Sequence, residues 1–146
     1  MVGVKKRGAI AIKIPICSDK KDVKAFLNEL HEVITDEDFS IDEDLIVIKT
    51  SKDEVEYSTG FTMVYLDYDS SDIIDRLKEL TISDYSETLI DKDDNKPPLL
   101  FVFGKDIDGR LVYIKIKVKR DTKKKVLCLS FHFAKHKMVF PYRKSK

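Results

Sequence analysis

The chain has 146 residues, which suits one domain, and its 42% apolar content with eight Phe and six Tyr is enough for a real core. No apolar run approaches the ~20 residues of a membrane span, residues 9–16 are broken by Lys13 and Pro15 and lack the end of a secretory signal, and Cys17 and Cys128 make neither a disulfide framework nor a zinc site, so the chain reads as cytoplasmic with reduced thiols. The net charge of +1 hides an asymmetry: residues 1–98 carry 13 Lys/Arg against 23 Asp/Glu, a net of −10, and residues 99–146 carry 14 Lys/Arg against 3 Asp, a net of +11.

In chain order, residues 1–8 read as a basic arm with Lys5, Lys6 and Arg7, and residues 8–16 as a short strand that Pro15 confines to an edge. Ser18 is a candidate helix cap. Val23, Phe26, Leu27, Leu30 and Ile34 follow at helical spacing and predict a helix over 19–35. Residues 36–44 are acidic and loop-like, and 45–49 read as a strand. Residues 56–66 mix Tyr, Thr, Phe and Val and read as extended. Ile73, Ile74, Leu77 and Leu80 predict a helix over 71–80, and 83–87 are read as the start of a further short helix. Residues 91–98 are a charged loop with two prolines.

The last third predicts an antiparallel meander over about 99–134. Leu99 to Phe103 is apolar, Asp106-Ile-Asp-Gly109 is a turn signature, and residues 121–124 form a second turn. Over 110–119 Val112, Ile114, Ile116 and Val118 point one way, and Tyr113, Lys115, Lys117 and Lys119 the other. Over 126–134 strict alternation puts Leu127, Leu129, Phe131 and Phe133 on the buried face, and Cys128, Ser130 and His132 on the open face.

That open face is the candidate site. Neighbouring antiparallel strands lie about 5 Å apart, so Tyr113, Lys115 and His132 can converge. Such a set suits RNA cleavage. One group takes the proton of the ribose 2′-hydroxyl, another protonates the 5′-oxygen, and a cation meets the charge that develops on phosphorus. Imidazole serves as acid or base near neutral pH. The attacking hydroxyl comes from the substrate, so the chemistry needs no metal and no cofactor. The competing reading is a solvated strand face with ordinary lysines and a structural histidine. His31, read as an isolated surface residue, offers no such set. His132 and His136, if on one strand, stand roughly 13 Å apart, too far to share a metal. Lys135, His136, Lys137 and Arg143 alternate with Phe133, Phe140 and Tyr142, a pattern that fits phosphate contact with base stacking. The charge asymmetry has two readings as well: a surface that meets a polyanion, or a basic half that packs beside the acidic half.

Leu66-Asp-Tyr-Asp, then Leu80-Thr-Ile-Ser-Asp-Tyr-Ser-Glu-Thr-Leu89, then Val112-Tyr-Ile-Lys-Ile116 and Val126-Leu-Cys-Leu-Ser-Phe131 occur in this order over about 64–132. Together they resemble the MqsR-type (motility quorum-sensing regulator) toxins of type II toxin–antitoxin systems. The resemblance implies a RelE-like fold and a metal-independent mRNA endoribonuclease that inhibits translation. It implies mRNA and a cognate antitoxin protein as partners, with the ribosome as a third candidate. The family's catalytic tyrosine falls on Tyr113, and a family lysine on His132. Two positions depart from the pattern: a family lysine falls on Glu87, and a family glutamine near Leu100. Residues 1–63 extend beyond the family-like core and carry one helix, and 135–146 form a basic tail.

The sequence thus predicts one α+β domain. A small antiparallel sheet, three- or four-stranded, packs against two or three helices. Tyr113, His132 and Lys115 are the candidate catalytic residues. Lys105, Arg110, Lys117, Lys135, His136, Lys137 and Arg143 are the candidate RNA contacts. The alternative is a non-catalytic RNA- or protein-binding module on the same fold, which the departures at Glu87 and Leu100 favour.

Overall fold

The computed structural model describes residues 13–49, 54–91, 99–120 and 122–144. The expected basic arm, the first residues of the first strand and most of the loop over 91–98 lie outside these. The architecture is α+β, with one six-stranded sheet in the order β1-β3-β4-β5-β6-β2. The strands are β1 (Lys13–Ile16), β2 (Leu45–Val47), β3 (Tyr85–Asp91), β4 (Leu100–Ile107), β5 (Arg110–Arg120) and β6 (Lys124–Phe133). Every neighbouring pair is antiparallel except β2–β6, which is parallel. The sheet exceeds the predicted three or four strands because residues before the meander supply both of its edges. Pro15 lies in β1, an edge strand of the described sheet, which is where a strand tolerates a residue without an N–H.

Helix α1 (Lys20–Thr35) forms where the apolar stripe predicts it, and buries Val23, Phe26, Leu27, Leu30, Val33 and Ile34. Burying each such side chain is worth about 1.5–3 kcal/mol. Its cap is Asp19, not Ser18: the Asp19 carboxylate accepts the Asp22 N–H at 2.9 Å. Ser18 is buried instead. Its N–H donates to the Tyr85 hydroxyl at 2.8 Å, and its Oγ lies 2.7 Å from Thr88 Oγ1. This polar knot ties the entry of α1 to β3. The acidic stretch 36–44 is not all loop, since Ile41–Asp44 form a short helix, α2. The Asp44 carboxylate closes it by accepting the Ser40 N–H at 2.9 Å, and it pairs with Lys123 at 2.6 Å. Those contacts hold its carboxyl below the usual aspartate value.

Residues 59–66 are helical, α3 (Thr59–Leu66), where the β-favouring composition predicts an extended segment. Tertiary contacts override that propensity. Ser58 Oγ caps the helix by accepting the Phe61 N–H at 3.1 Å. The hydroxyls of Thr59 and Thr62 then accept the Phe131 and Phe133 N–H groups of β6, at 2.9 and 3.1 Å. The ladder between β2 and β6 ends at Val47 and Cys128. Beyond it, α3 satisfies an edge that would otherwise stay bare. Helix α4 (Ser70–Lys78) opens with a capping box between Asp69 and Asp72 and buries Ile73, Ile74 and Leu77. His31 is no isolated surface residue: its Nε2 lies 3.2 Å from the Leu77 carbonyl and ties α1 to α4. Residues 83–87 do not start a helix. A 3₁₀ turn over Ile82–Asp84 leads into β3, because buried Tyr85 and Thr88 anchor this segment in the sheet.

Asp108 and Gly109 both take positive φ, 52° and 83°, and join β4 to β5 in the two-residue hairpin predicted there. Val112, Ile114, Ile116 and Val118 are all fully buried, as their alternation predicts. Strict alternation fails in β6. Lys115 pairs with Ser130 and Ile116 with Cys128, so Leu129 is an extra residue, a β-bulge. Val126 and Cys128 therefore face the main core with Phe131 and Phe133, and Leu129 packs on the other side with Tyr113 and Met138. Burial pushes the Cys128 thiol up to about 12, which removes it from the open face and from nucleophilic chemistry. No described helix is long and apolar enough to cross a membrane.

Candidate functional site

The face of the sheet opposite the main core holds a cleft of about 520 Å³. Two cross-strand rows meet there. Gly104, Tyr113 and His132 are consecutive partners on β4, β5 and β6, and Glu87, Val102, Lys115 and Ser130 are consecutive partners on β3, β4, β5 and β6. The Tyr113 and His132 rings stack, with centroids 5.2 Å apart and planes 13° from parallel. His132 Nδ1 lies 3.0 Å from the Phe133 carbonyl. A carbonyl only accepts, so Nδ1 carries a proton and Nε2 is the ring nitrogen left for exchange. Tyr113 is pushed up to about 12, first by burial and then by the Glu87 carboxylate. At neutral pH it is a hydrogen-bond donor, not a base.

The wall of the cleft is the C-terminal segment, which does not trail away as a tail. It leaves β6 with the Ala134 N–H donating to the Leu111 carbonyl at 2.8 Å, and crosses the open face. Ser86 Oγ donates to the Val139 carbonyl at 2.7 Å, and the Tyr142 hydroxyl donates to the Ser18 carbonyl at 2.6 Å. The crossing depends on Gly104, where a Cβ would lie 2.7 Å from Phe140 Cζ and 3.0 Å from Met138 Sδ. Because β6 ends at Phe133, His136 turns back and lines the same cleft as His132. The two histidines are therefore not strung along one strand.

The structure brings together Tyr113, Lys115, His132, Lys135, His136 and Lys137. Lys117 lies further along β5, opposite Leu127. Three candidate RNA contacts sit elsewhere. Lys105 pairs in register with buried Val112 and reaches Glu79 at 3.5 Å, on the helix side. The Arg110 guanidinium lies over the Phe133 ring at 3.6 Å. Arg143 lies over the Phe140 ring at 4.0 Å and 3.8 Å from Asp84. Leu100 joins Leu89 and Val102 in a small apolar cluster beside the cleft. Sequence reasoning missed Ser86, Met138 and Val139 as lining residues, and placed Glu87 only as a departure from a pattern.

Part of the charge asymmetry is spent inside the molecule. Arg120 and Lys124 both pair with Glu29, Lys123 with Asp44, and Lys135 with Glu54. Glu29 is held below its usual value by its two cations even though burial opposes them. The cleft is lined by Lys115, Lys135, Lys137, His132 and His136 together with Glu87, and Lys135 is the one of these that pairs with Glu54 at its rim. Compared with family models, curated proteins and solved structures, the chain matches none.

Proposed function

We propose that this chain is a metal-independent endoribonuclease that cuts mRNA, acting in the cytoplasm as the toxin of a type II toxin–antitoxin pair. The observation that carries the reading is the stacked Tyr113–His132 pair beside Lys115 on the floor of a cationic cleft. His132 Nε2 moves a proton, the neutral Tyr113 hydroxyl donates to a non-bridging phosphate oxygen, and Lys115 offsets the charge that builds on phosphorus. The toxin role, the RelE-like fold and the antitoxin partner come from the resemblance over residues 64–132. Products carry a 2′,3′-cyclic phosphate or 3′-phosphate and a 5′-hydroxyl.

The test is induced expression of the chain alone in a bacterial host, with primer-extension mapping of cellular mRNA. The expected result is growth arrest with discrete new 5′ ends, both abolished by H132A and strongly reduced by Y113F. Persistent arrest in the double variant would overturn the site. The Glu87 carboxylate and the internal pairing of the two halves favour a second reading, a non-catalytic binding module. That reading predicts normal growth, intact mRNA and salt-dependent RNA binding without product.

A further inference from the structure

A carboxylate facing a phosphodiester weakens its binding, yet Glu87 lines the cleft. Its position is set by a second β-bulge. The register between β3 and β4 shifts between Tyr85, which pairs with Phe103, and Glu87, which pairs with Val102. Tyr85 and Phe103 are fully buried in the main core. In a regular strand residues two apart share a side, so without the bulge Glu87 would lie on the buried side of Tyr85. The bulge at Leu129 takes Cys128, now buried, off the side of His132. Bulges recur where a strand must re-aim a side chain. Here two of them, on strands β3 and β6, leave one carboxylate and one imidazole in the same cleft.

Between the two stands Tyr113, on β5. Its ring stacks on His132, and the charge of Glu87 reaches its hydroxyl. A phosphate held by Tyr113 therefore has a carboxylate on one side and an imidazole on the other. In-line attack by a 2′-hydroxyl needs a base on the attacking side and an acid on the leaving side. One imidazole does not fill both roles in a single step. Tyr113, neutral at pH 7, cannot be the base. The titratable groups that line the cleft with Glu87 are Tyr113 and Lys115 of β5, His132 of β6, and Lys135, His136 and Lys137 of the crossing segment.

We infer that Glu87 is the general base of RNA cleavage and His132 its general acid. The inference rests on the ribonuclease reading above. The Glu87 carboxylate takes the proton of the 2′-hydroxyl as O2′ forms its bond to phosphorus. The P–O5′ bond breaks, and imidazolium His132 gives its Nε2 proton to O5′. The products are a 2′,3′-cyclic phosphate and a 5′-hydroxyl, with Glu87 protonated and His132 neutral until solvent resets both. No oxidant, reductant or metal enters the balance.

The test uses the full chain and a short RNA that it cuts, made with oxygen or with sulfur at the 5′-bridging position. A thiolate leaves without protonation, so sulfur replaces an acid but not a base. On the oxygen substrate, E87Q and H132A should each lower kcat by roughly 10²–10⁴-fold. On the sulfur substrate H132A should regain most of its rate and E87Q should not. E87D should retain part of the rate, and E87Q should lose the acidic limb of the pH profile of kcat/KM. If E87Q does not fold, the pH profile of E87D decides: an acidic limb displaced from that of the wild type supports the role, and an unchanged profile overturns it. E87Q within threefold of wild type on oxygen, or rescued by sulfur, overturns the assignment and leaves the ribonuclease reading standing. A wild-type chain that cuts no RNA overturns both.

Discussion

Replacing Thr62 by Val keeps the shape of a fully buried side chain and removes its hydroxyl. That hydroxyl accepts the Phe133 N–H at 3.1 Å and donates to the Ser58 carbonyl, also at 3.1 Å. The carbonyl keeps its helical partner, since the Thr62 N–H donates to it. The Phe133 amide does not: beyond Cys128 no strand of the described residues pairs with that side of β6. The cost is one buried donor left unsatisfied, about 1–3 kcal/mol, with no cavity added. T59V strands the Phe131 amide in the same way, at 2% exposure and a similar cost. The amides serve different hydroxyls, so the double variant should lose about 2–6 kcal/mol, a large share of the ~5–15 kcal/mol that holds a domain. Urea unfolding should show lower midpoints at unchanged slope, and hydrogen exchange should quicken at Phe131 and Phe133 in particular. T62S, which keeps the hydroxyl, should hold most of the wild-type stability. Both single variants within about 0.5 kcal/mol of wild type would refute the claim that α3 satisfies the β6 edge. The site is coupled to this edge, because His132 lies between the two amides.

G104A tests whether the C-terminal segment is seated on the open face: relief of the 2.7 Å contact with Phe140 should cost about 1–3 kcal/mol, less ~0.4–1 kcal/mol returned through a stiffer unfolded chain. Limited proteolysis should then cut within 136–142 faster than in wild type, and equal protection would refute the seating. Tyr113 titrates near 12 in the fold against about 10 unfolded, so the neutral form is favoured by folding. Its contribution is complete below pH 10 and is lost as pH rises from 10 to 12. Y113F should therefore flatten the fall of the urea midpoint across that window, and an identical slope in wild type and variant would refute the burial of the hydroxyl.

Local rules of the chain carried several elements without help. The stripe Val23–Ile34 forms α1 because 3.6-residue spacing gathers its apolar side chains on one side. The alternation of β5 and the Asp108–Gly109 turn depend on neighbours in sequence, and both stand as read. Tyr113 and His132 were legible as partners, since a tight hairpin order makes β5 and β6 adjacent. Other features were illegible because their causes lie far along the chain. Residues 59–66 are helical because their hydroxyls serve amides 71 and 72 residues away. Tyr85 leads a strand because it bonds Ser18, 67 residues before it.

What the sequence by itself determined is therefore the amphipathic helix, the hairpin turn, the meander and the class of chemistry that Tyr, Lys and His can offer. Only the tertiary structure decided which side chains share the cleft. A one-residue register shift reverses every side chain beyond it, and periodicity cannot say where a strand will slip. Pairing with β4 placed one such shift at Ser86, and pairing with β5 placed the other at Leu129. The slip at Ser86 carries Glu87 to the side of His132, and the slip at Leu129 takes Cys128 off that side; the alternation with Phe131 and Phe133 already placed His132 there, but no local pattern records either slip.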